Sequence, residues 1–302
     1  MNGTKLVLLG TAGGAASYPV DGMPGTARQG IASALVVQGR VHLVDAGMGV
    51  ARQLTFADIG GGGSTQALSR LRGIYLSHLH SDHTMDLANL VHCGYIQGWP
   101  KDSPVDIWGP GSRGALPGPP EEGNPVVDSP SGTTPGTSAL VQQLLGAFAT
   151  DFNDRILMAH RRNPFTLLRA HDLLPPVEVD LSQGTSPTVE PWLVMEDDTV
   201  RLSRGADVLV HEVIDADYAT WQFGPGPLDA AQERAVATVM GKHTSTDQIG
   251  AVAQAAGVST LVLTHLVPAS IPTERWEQAV SGFDGRVVVG QDLLELDVTR
   301  SK

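Results

Sequence analysis

The chain has 302 residues, of which 41% are apolar, so it can bury a substantial core and its length suits one large domain. A formal net charge of −12 and only four lysines argue against a general nucleic-acid-binding surface. The single cysteine, Cys93, excludes an intrachain disulfide and favours a reducing, cytoplasmic location, and no segment approaches the length of a membrane span.

In the first third of the chain, residues 1–108 predict strands, hairpins and one or two helices. An apolar run at residues 73–77 predicts a short strand. Beyond it, apolar residues at near-helical spacing begin at Met85, so we expect a helix to start near Asp82 and His83. The amino-terminal end of that helix would favour a carboxylate.

Three histidines and one aspartate follow the predicted strand within six residues, as His78, His80, Asp82 and His83. Imidazole nitrogens and carboxylate oxygens are the ligand types that suit zinc and related divalent ions. The run therefore predicts a metal site on a loop at the end of a rigid strand. The alternative is a polar surface loop that happens to be rich in histidine.

The remainder of the chain divides into an irregular part and a regular part. Residues 109–138 are rich in Gly, Pro and Ser and predict irregular structure, and a helical stretch is expected over 137–159. The last third alternates between helices and strands. Its predicted elements are a strand at 207–210, a helix at 247–256, a strand at 261–264, a helix near 274–280 and a strand at 286–289.

Taken in order, these segments resemble the metallo-β-lactamase fold hydrolases, in particular their ribonuclease Z and arylsulfatase-like branch. The histidine run is the specific part of the resemblance, and the order and spacing of the other segments agree with it. Those segments are 6–14, 43–47, 109–111, 206–212, 242–245 and 261–265. The resemblance implies an α/β fold, the four-layer αββα sandwich, as a single domain over residues 1–302. It also implies that residues 109–190 form a lid or a substrate-recognition insert.

The resemblance implies two zinc ions that share a bridging water or hydroxide. His78 and His80 match the residues that hold one metal in this family. Asp82 and His83 match ligands of the other metal, and His265 completes that second site. The match also makes Asp82 the base that accepts a proton from the bridging water.

Three further residues receive roles from the same resemblance. Asp45 matches a residue that lies under the loop of residues 78–83, here called the histidine loop, and orients it. Because Asp45 precedes Ala-Gly, its role could instead be limited to capping a turn. Glu212 and His243 match a pair that helps to protonate the leaving group. Without the family, His243 could belong to a helix-capping segment, and His265 could be a packing residue at the end of a strand.

The chain departs from the family in its second half. A full site needs a further histidine on a strand and a bridging aspartate in a turn, and neither is evident. Because the segment from Thr199 to Gly205 is too short for the expected helical crossover, we expect a block of about forty residues to be missing between Val200 and Arg201. The second half of the sandwich would then be truncated, one or no metal could remain, and exposed strand edges would favour dimerisation.

These observations predict a zinc-dependent hydrolase of ester-type bonds, with a sulfate ester, a phosphodiester or a lactone of a small molecule as substrate. An alternative is an inactive or single-metal descendant of the fold. A further alternative is a tRNA 3′-processing endonuclease, against which the acidic composition argues.

Overall fold

The structure is a computed structural model, and its described residues are 3–14, 18–19, 27–61, 66, 68–114, 116, 125–174 and 196–298. The strands are β1 (Thr4–Gly10), β2 (Tyr18–Pro19), β3 (Ala27–Arg28), β4 (Ala32–Val37), β5 (Arg40–Val44), β6 (Leu71–Tyr75), β7 (Val105–Pro110), β8 (Leu168–Leu173), β9 (Val208–Ile214), β10 (Thr260–Val267), β11 (Arg286–Val289) and β12 (Leu294–Asp297). The helices are α1 (Val50–Phe56), α2 (Ser81–Thr84), α3 (Leu87–Gln97), α4 (Thr137–Ala147), α5 (Ala149–Ala159), α6 (Glu196–Ser203), α7 (Tyr218–Phe223), α8 (Ala230–Met240), α9 (Thr246–Ala256) and α10 (Thr273–Ala279), with a 3₁₀ turn at Pro164–Thr166.

A seven-stranded sheet with the order β12-β1-β4-β5-β6-β7-β8 forms the larger layer. Its first strands pair antiparallel, whereas β5, β6, β7 and β8 are parallel to one another. The carboxyl ends of parallel strands meet at one edge of a sheet. Consequently Asp45, directly after β5, and the histidine loop, directly after β6, lie side by side at that edge.

The core of this layer follows from the alternation of residues along its strands. On β7, Val105 and Ile107 are fully buried, whereas Asp106 and Trp108 on the opposite face are partly exposed. Residues from α1, α3 and α4 pack on the apolar face and complete this core. This packed core therefore holds in place the sheet edge that carries the histidine loop.

The smaller layer is a parallel sheet with the order β11-β10-β9, which is three strands among the described residues. Its central strand β10 is buried from Leu261 to Leu266, as expected for a parallel strand that is covered on both faces. The strands and helices predicted for the last third are all present, with boundaries shifted by a few residues at most.

One expectation for the region around Val200 needs correction. Val200 and Arg201 were expected to end one segment and begin another, but both lie inside α6. Glu196–Ser203 is one continuous helix that contacts α9, with Val200 packed against the core of the smaller sheet. Residues 175–195, which precede α6, lie outside the described part of the chain.

The segment from 109 to 190 contributes to the larger sheet where it is described. The expected helix over 137–159 is two helices, α4 and α5, and they are separated at Phe148. The chain then returns through β8, which pairs in parallel with β7 at the edge of the seven-stranded sheet. A lid or substrate-recognition role for this segment stays a prediction.

A short loop after β1 connects the two sheets. The backbone carbonyl of Thr11 accepts a hydrogen bond from the Leu266 amide, and Gly13 donates its amide to the Leu266 carbonyl. The Asp292 carboxylate holds the start of this loop, since it accepts the Thr11 hydroxyl at 2.7 Å and the Gln29 amide at 2.6 Å. The loop thus ties the larger sheet to the residue that follows His265.

None of the helices that the structure describes is long and apolar enough to cross a bilayer.

The central position of Ile107 makes a prediction about stability. Ile107→Ala removes methyl groups from a fully buried site on β7, so we expect the free energy of unfolding to fall by about 2–5 kcal/mol. Urea titration followed by circular dichroism measures this change. Val37→Ala, at a side chain that is 37% exposed, serves as the control and should cost less than about 1 kcal/mol. Equal losses for the two variants would contradict this position of the core.

Candidate metal centre

The first two histidines of the loop point their ring nitrogens at a common place. Nε2 of His78 lies 3.0 Å from Nδ1 of His80. Burial lowers the pKa of His78, and the neighbouring His83 and His80 lower it further, to about 4. His78 is therefore neutral at physiological pH, and one of its ring nitrogens carries a free lone pair, as a metal ligand requires.

Asp82, His83 and His265 form a second group beside the first. Nε2 of His83 and Nε2 of His265 lie 3.2 Å apart, and Oδ2 of Asp82 is 3.2 Å from His265 and 3.4 Å from His83. Burial raises the pKa of Asp82, but hydrogen bonds from His265 and His83 outweigh burial and hold its pKa well below the usual range. Asp82 is therefore ionised and offers an anionic ligand oxygen.

Asp45 lies under the histidine loop with its side chain buried. It accepts hydrogen bonds from the Ser77 amide at 2.7 Å, the Ser77 hydroxyl at 2.9 Å and Nδ1 of His83 at 2.8 Å. Its φ of 61° is in the left-handed region, which a non-glycine residue adopts only when its surroundings hold it there. Because Nδ1 of His83 is used by Asp45, Nε2 is the atom that faces the site.

His265 reaches the same place from the smaller sheet. It lies in β10 at a register shift between Thr264 and Leu266, with a φ of 45° and a buried side chain. Gly13 packs against it so closely that a Cβ at position 13 would be 2.8 Å from Nδ1 of His265. The irregular backbone turns this histidine out of the ladder and toward Asp82 and His83.

Glu212 and His243 form a pair beside His265. Nδ1 of His243 lies 2.7 Å from Oε2 of Glu212, and the Thr244 amide donates to Oε1 at 2.6 Å. Burial raises the pKa of Glu212, but the hydrogen bond and the charge of His243 lower it, with a net decrease. The cap of α9 is Ser245, in a capping box with Gln248, so His243 does not cap that helix.

The donor atoms form three sets that could hold a cation. Among the described residues they are His78–His80–Asp82, Asp82–His83–His265 and Glu212–His243–His265, each with ligand atoms within 4.8 Å of one another. Mixed imidazole and carboxylate donors in such sets suit a divalent ion such as zinc. The structure thus brings together every residue that the sequence predicts for the site, and Asp82 belongs to both sets on the histidine loop.

Three residues near the site were not singled out from the sequence. Ser77 contacts Asp45 and His78 through its hydroxyl. Gly14 donates its amide to Oδ2 of Asp82 at 3.2 Å, and Gly13 packs on His265. The pair of glycines after the opening strand could have indicated from the sequence that the backbone approaches other groups closely there. No sequence pattern indicates the contacts of Ser77, because they form only when Asp45 is brought next to the histidine loop.

Comparison with known proteins identifies relatives over nearly the full chain. No protein-family model matches the chain. Ribonuclease Z of Mycobacterium bovis (strain BCG / Pasteur 1173P2) is 29% identical over 331 residues, which cover 97% of this chain and 98% of the relative. Ribonuclease Z of Mycobacterium marinum is also 29% identical over 331 residues, with the same coverage of 97% and 98%. Since 331 exceeds the 302 residues of the chain, these alignments contain gaps in this chain.

Solved structures show the same architecture. The metallo-β-lactamase fold protein YhfI from Bacillus subtilis superposes with a TM-score of 0.56 at 17% identity, covering 97% of this chain and 99% of that protein. Human tRNase Z, short form, superposes with a TM-score of 0.52 at 19% identity, covering 98% of this chain and 100% of that protein. The predicted fold is confirmed. The relatives are named as ribonucleases, which conflicts with the expectation that nucleic acid is an unlikely partner.

The buried pair of His83 and Asp45 predicts a pH dependence for the metal-free protein. Burial lowers the pKa of His83, but hydrogen bonds to Asp45 and Asp82 outweigh burial and raise it from 6.5 to about 9. This stabilisation is fully present below pH 6.5, and it is lost as the pH rises through about 9. We therefore expect the free energy of unfolding of chelator-treated protein to decrease between these two pH values.

Urea unfolding of the metal-free protein at pH 6.5 and at pH 9 measures the effect. His83→Gln should remove most of the decrease, since glutamine does not titrate. His160→Gln is the matched control, because His160 is exposed at the end of α5 and belongs to none of the three donor sets. The same decrease in His83→Gln as in the unmodified protein would assign the pH dependence to other groups.

Proposed function

We propose that this chain, a metal-dependent hydrolase of metallo-β-lactamase fold with ribonuclease Z homologues, cleaves phosphodiester bonds and takes precursor tRNA as its substrate. The observation that carries the proposal is the convergence of two donor sets on Asp82, with the Glu212–His243 pair beside them. A divalent ion at each set and a proton donor next to them are the parts that hydrolysis of a phosphodiester needs.

The ligand assignment is the one that the resemblance implies, and the short distances within each group support it. His78 and His80 would hold one ion, and Asp82, His83 and His265 would hold the other. We propose zinc for both positions, because nitrogen-rich donor sets with one carboxylate suit zinc. When bound, such ions supply positive charge that stabilises negative charge developing on the attacked phosphate, and they make water a stronger nucleophile.

The residues of the chain have separate roles in the proposed reaction. Asp82 belongs to both donor sets of the histidine loop and would accept the proton of the attacking water. Asp45 holds His83 by Nδ1 and so keeps its Nε2 toward the site. Glu212 orients His243 through the bond at Nδ1, so Nε2 is the free ring nitrogen, and in the doubly protonated form of His243 it would give its proton to the leaving oxygen.

Two cations near His80 favour an anionic substrate. Burial lowers the pKa of His80, Asp82 opposes that effect, and the positive charges of Lys242 and Arg113 lower the pKa again. Both cations therefore add positive charge around His80, which favours a negatively charged substrate. A phosphodiester already carries a negative charge when it binds, whereas a lactone is neutral, so these cations favour binding of the phosphodiester.

A small-molecule phosphodiester is the second candidate. It is favoured by the net charge of −12, since a long RNA would be repelled by most of the surface. The chain has few basic residues to offset this, and Arg169 is already paired with Asp106 by two hydrogen bonds of 2.8 and 2.7 Å. Precursor tRNA and a small diester must therefore be compared directly.

Metal-loaded protein should cleave precursor tRNA at its 3′ side, and it should also hydrolyse bis(p-nitrophenyl) phosphate. We expect His78→Ala to abolish both activities, because it removes one of the two donors of the first set. His160→Ala should leave both rates unchanged. Gel electrophoresis of the RNA and absorbance of p-nitrophenolate are the two measurements. Cleavage of the small diester without cleavage of RNA would select the second candidate, and no metal-dependent turnover of either substrate would refute the proposal.

The role of His243 predicts a difference between substrates. His243→Ala should lower kcat for RNA by about 10²- to 10⁴-fold, because the ribose oxygen leaves only when it is protonated. The same variant should retain most of its activity on bis(p-nitrophenyl) phosphate, since p-nitrophenolate leaves without a proton. Glu212→Gln should show the same pattern to a smaller extent. Equal losses on both substrates would mean that His243 is not a proton donor.

A further inference from the structure

Ser77 contacts two parts of the proposed centre at once. Its amide donates to Oδ1 of Asp45 at 2.7 Å, and its hydroxyl oxygen lies 2.9 Å from Oδ2 of the same carboxylate. That hydroxyl oxygen is also 3.2 Å from Nδ1 of His78 and 3.2 Å from Nδ1 of His83. The Ser77 hydroxyl is thus placed between a buried carboxylate and the first histidine of the loop.

The direction of these hydrogen bonds follows from the number of protons available. A carboxylate only accepts hydrogen bonds, and a hydroxyl has one proton, so the Ser77 proton is donated to Asp45. Nδ1 of His83 has its own, shorter contact of 2.8 Å with the same carboxylate oxygen. The Ser77 oxygen can then only accept from His78, which requires a proton on Nδ1 of His78.

A neutral histidine with its proton on Nδ1 has its lone pair on Nε2. Nε2 of His78 is the atom that lies 3.0 Å from Nδ1 of His80, where the two rings converge. We infer that Ser77 is a positioning residue that connects Asp45 to His78 and fixes Nε2 of His78 as the atom facing the metal. One carboxylate would then orient a ligand of each ion, His83 directly and His78 through the serine hydroxyl.

This inference rests on the proposed metal centre, so its test measures metal binding instead of turnover. Zinc is titrated into chelator-treated protein by calorimetry for the unmodified chain, Ser77→Ala and Ser77→Thr. Ser77→Ala removes only the hydroxyl, because the hydrogen bond from the backbone amide of residue 77 to Asp45 is kept. We expect its affinity for the zinc ion at His78 and His80 to fall by about 10- to 100-fold, with the ion at Asp82, His83 and His265 bound as before. Ser77→Thr keeps a hydroxyl and should restore the affinity.

The ring nitrogens of His78 provide a second readout, by ¹⁵N NMR of zinc-loaded protein. The unmodified chain and Ser77→Thr should show a protonated Nδ1 at His78, and Ser77→Ala should show a weaker or mixed signal. Unchanged zinc affinity at both sites in Ser77→Ala, or equal weakening of both sites, would overturn the inference while leaving the proposed function in place. Absence of zinc binding by the unmodified chain would overturn the proposed function, and this inference with it.

Discussion

The buried carboxylate of Asp45 organises the candidate centre. It accepts three hydrogen bonds, two from Ser77 and one from His83, and so it holds the beginning and the end of the histidine loop together. A buried carboxylate without such donors would carry a large desolvation cost, so the loop and the carboxylate stabilise each other. To place its side chain under the histidine loop, Asp45 adopts a left-handed φ of 61°, which is an unfavourable backbone conformation for a non-glycine residue.

Two connections join the first and second halves of the molecule at the site. His265 enters from β10, and the loop of Gly13 and Gly14 contacts both His265 and Asp82. That loop is fixed to Leu266 by backbone hydrogen bonds, so the distance between the two halves of the site is set by the backbone. In the smaller sheet β10 carries His265 and β9 carries Glu212, whereas His243 lies in the connection between α8 and α9.

The electrostatics of the chain are divided between the surface and the site. The net charge is −12, whereas Lys242 and Arg113 place positive charge near His80. Overall charge governs approach and nonspecific binding, while local charge governs the bound substrate. The acidic composition therefore argues against an RNA substrate but does not exclude one. The relatives, in contrast, are named as ribonucleases.

The sequence by itself determined the fold and the metal-binding residue types. The His78–His83 run and the periodicity of residues 247–289 are local patterns. The structure places the histidines of the run in donor sets and contains the helices and strands that the periodicity predicts. The bridge from Asp45 through Ser77 to His78, the turn of His265 out of its strand and the single helix across Val200 and Arg201 were decided by tertiary structure. Those features depend on contacts between residues far apart in the chain, or on competition between neighbouring elements, and a local pattern contains no information about either.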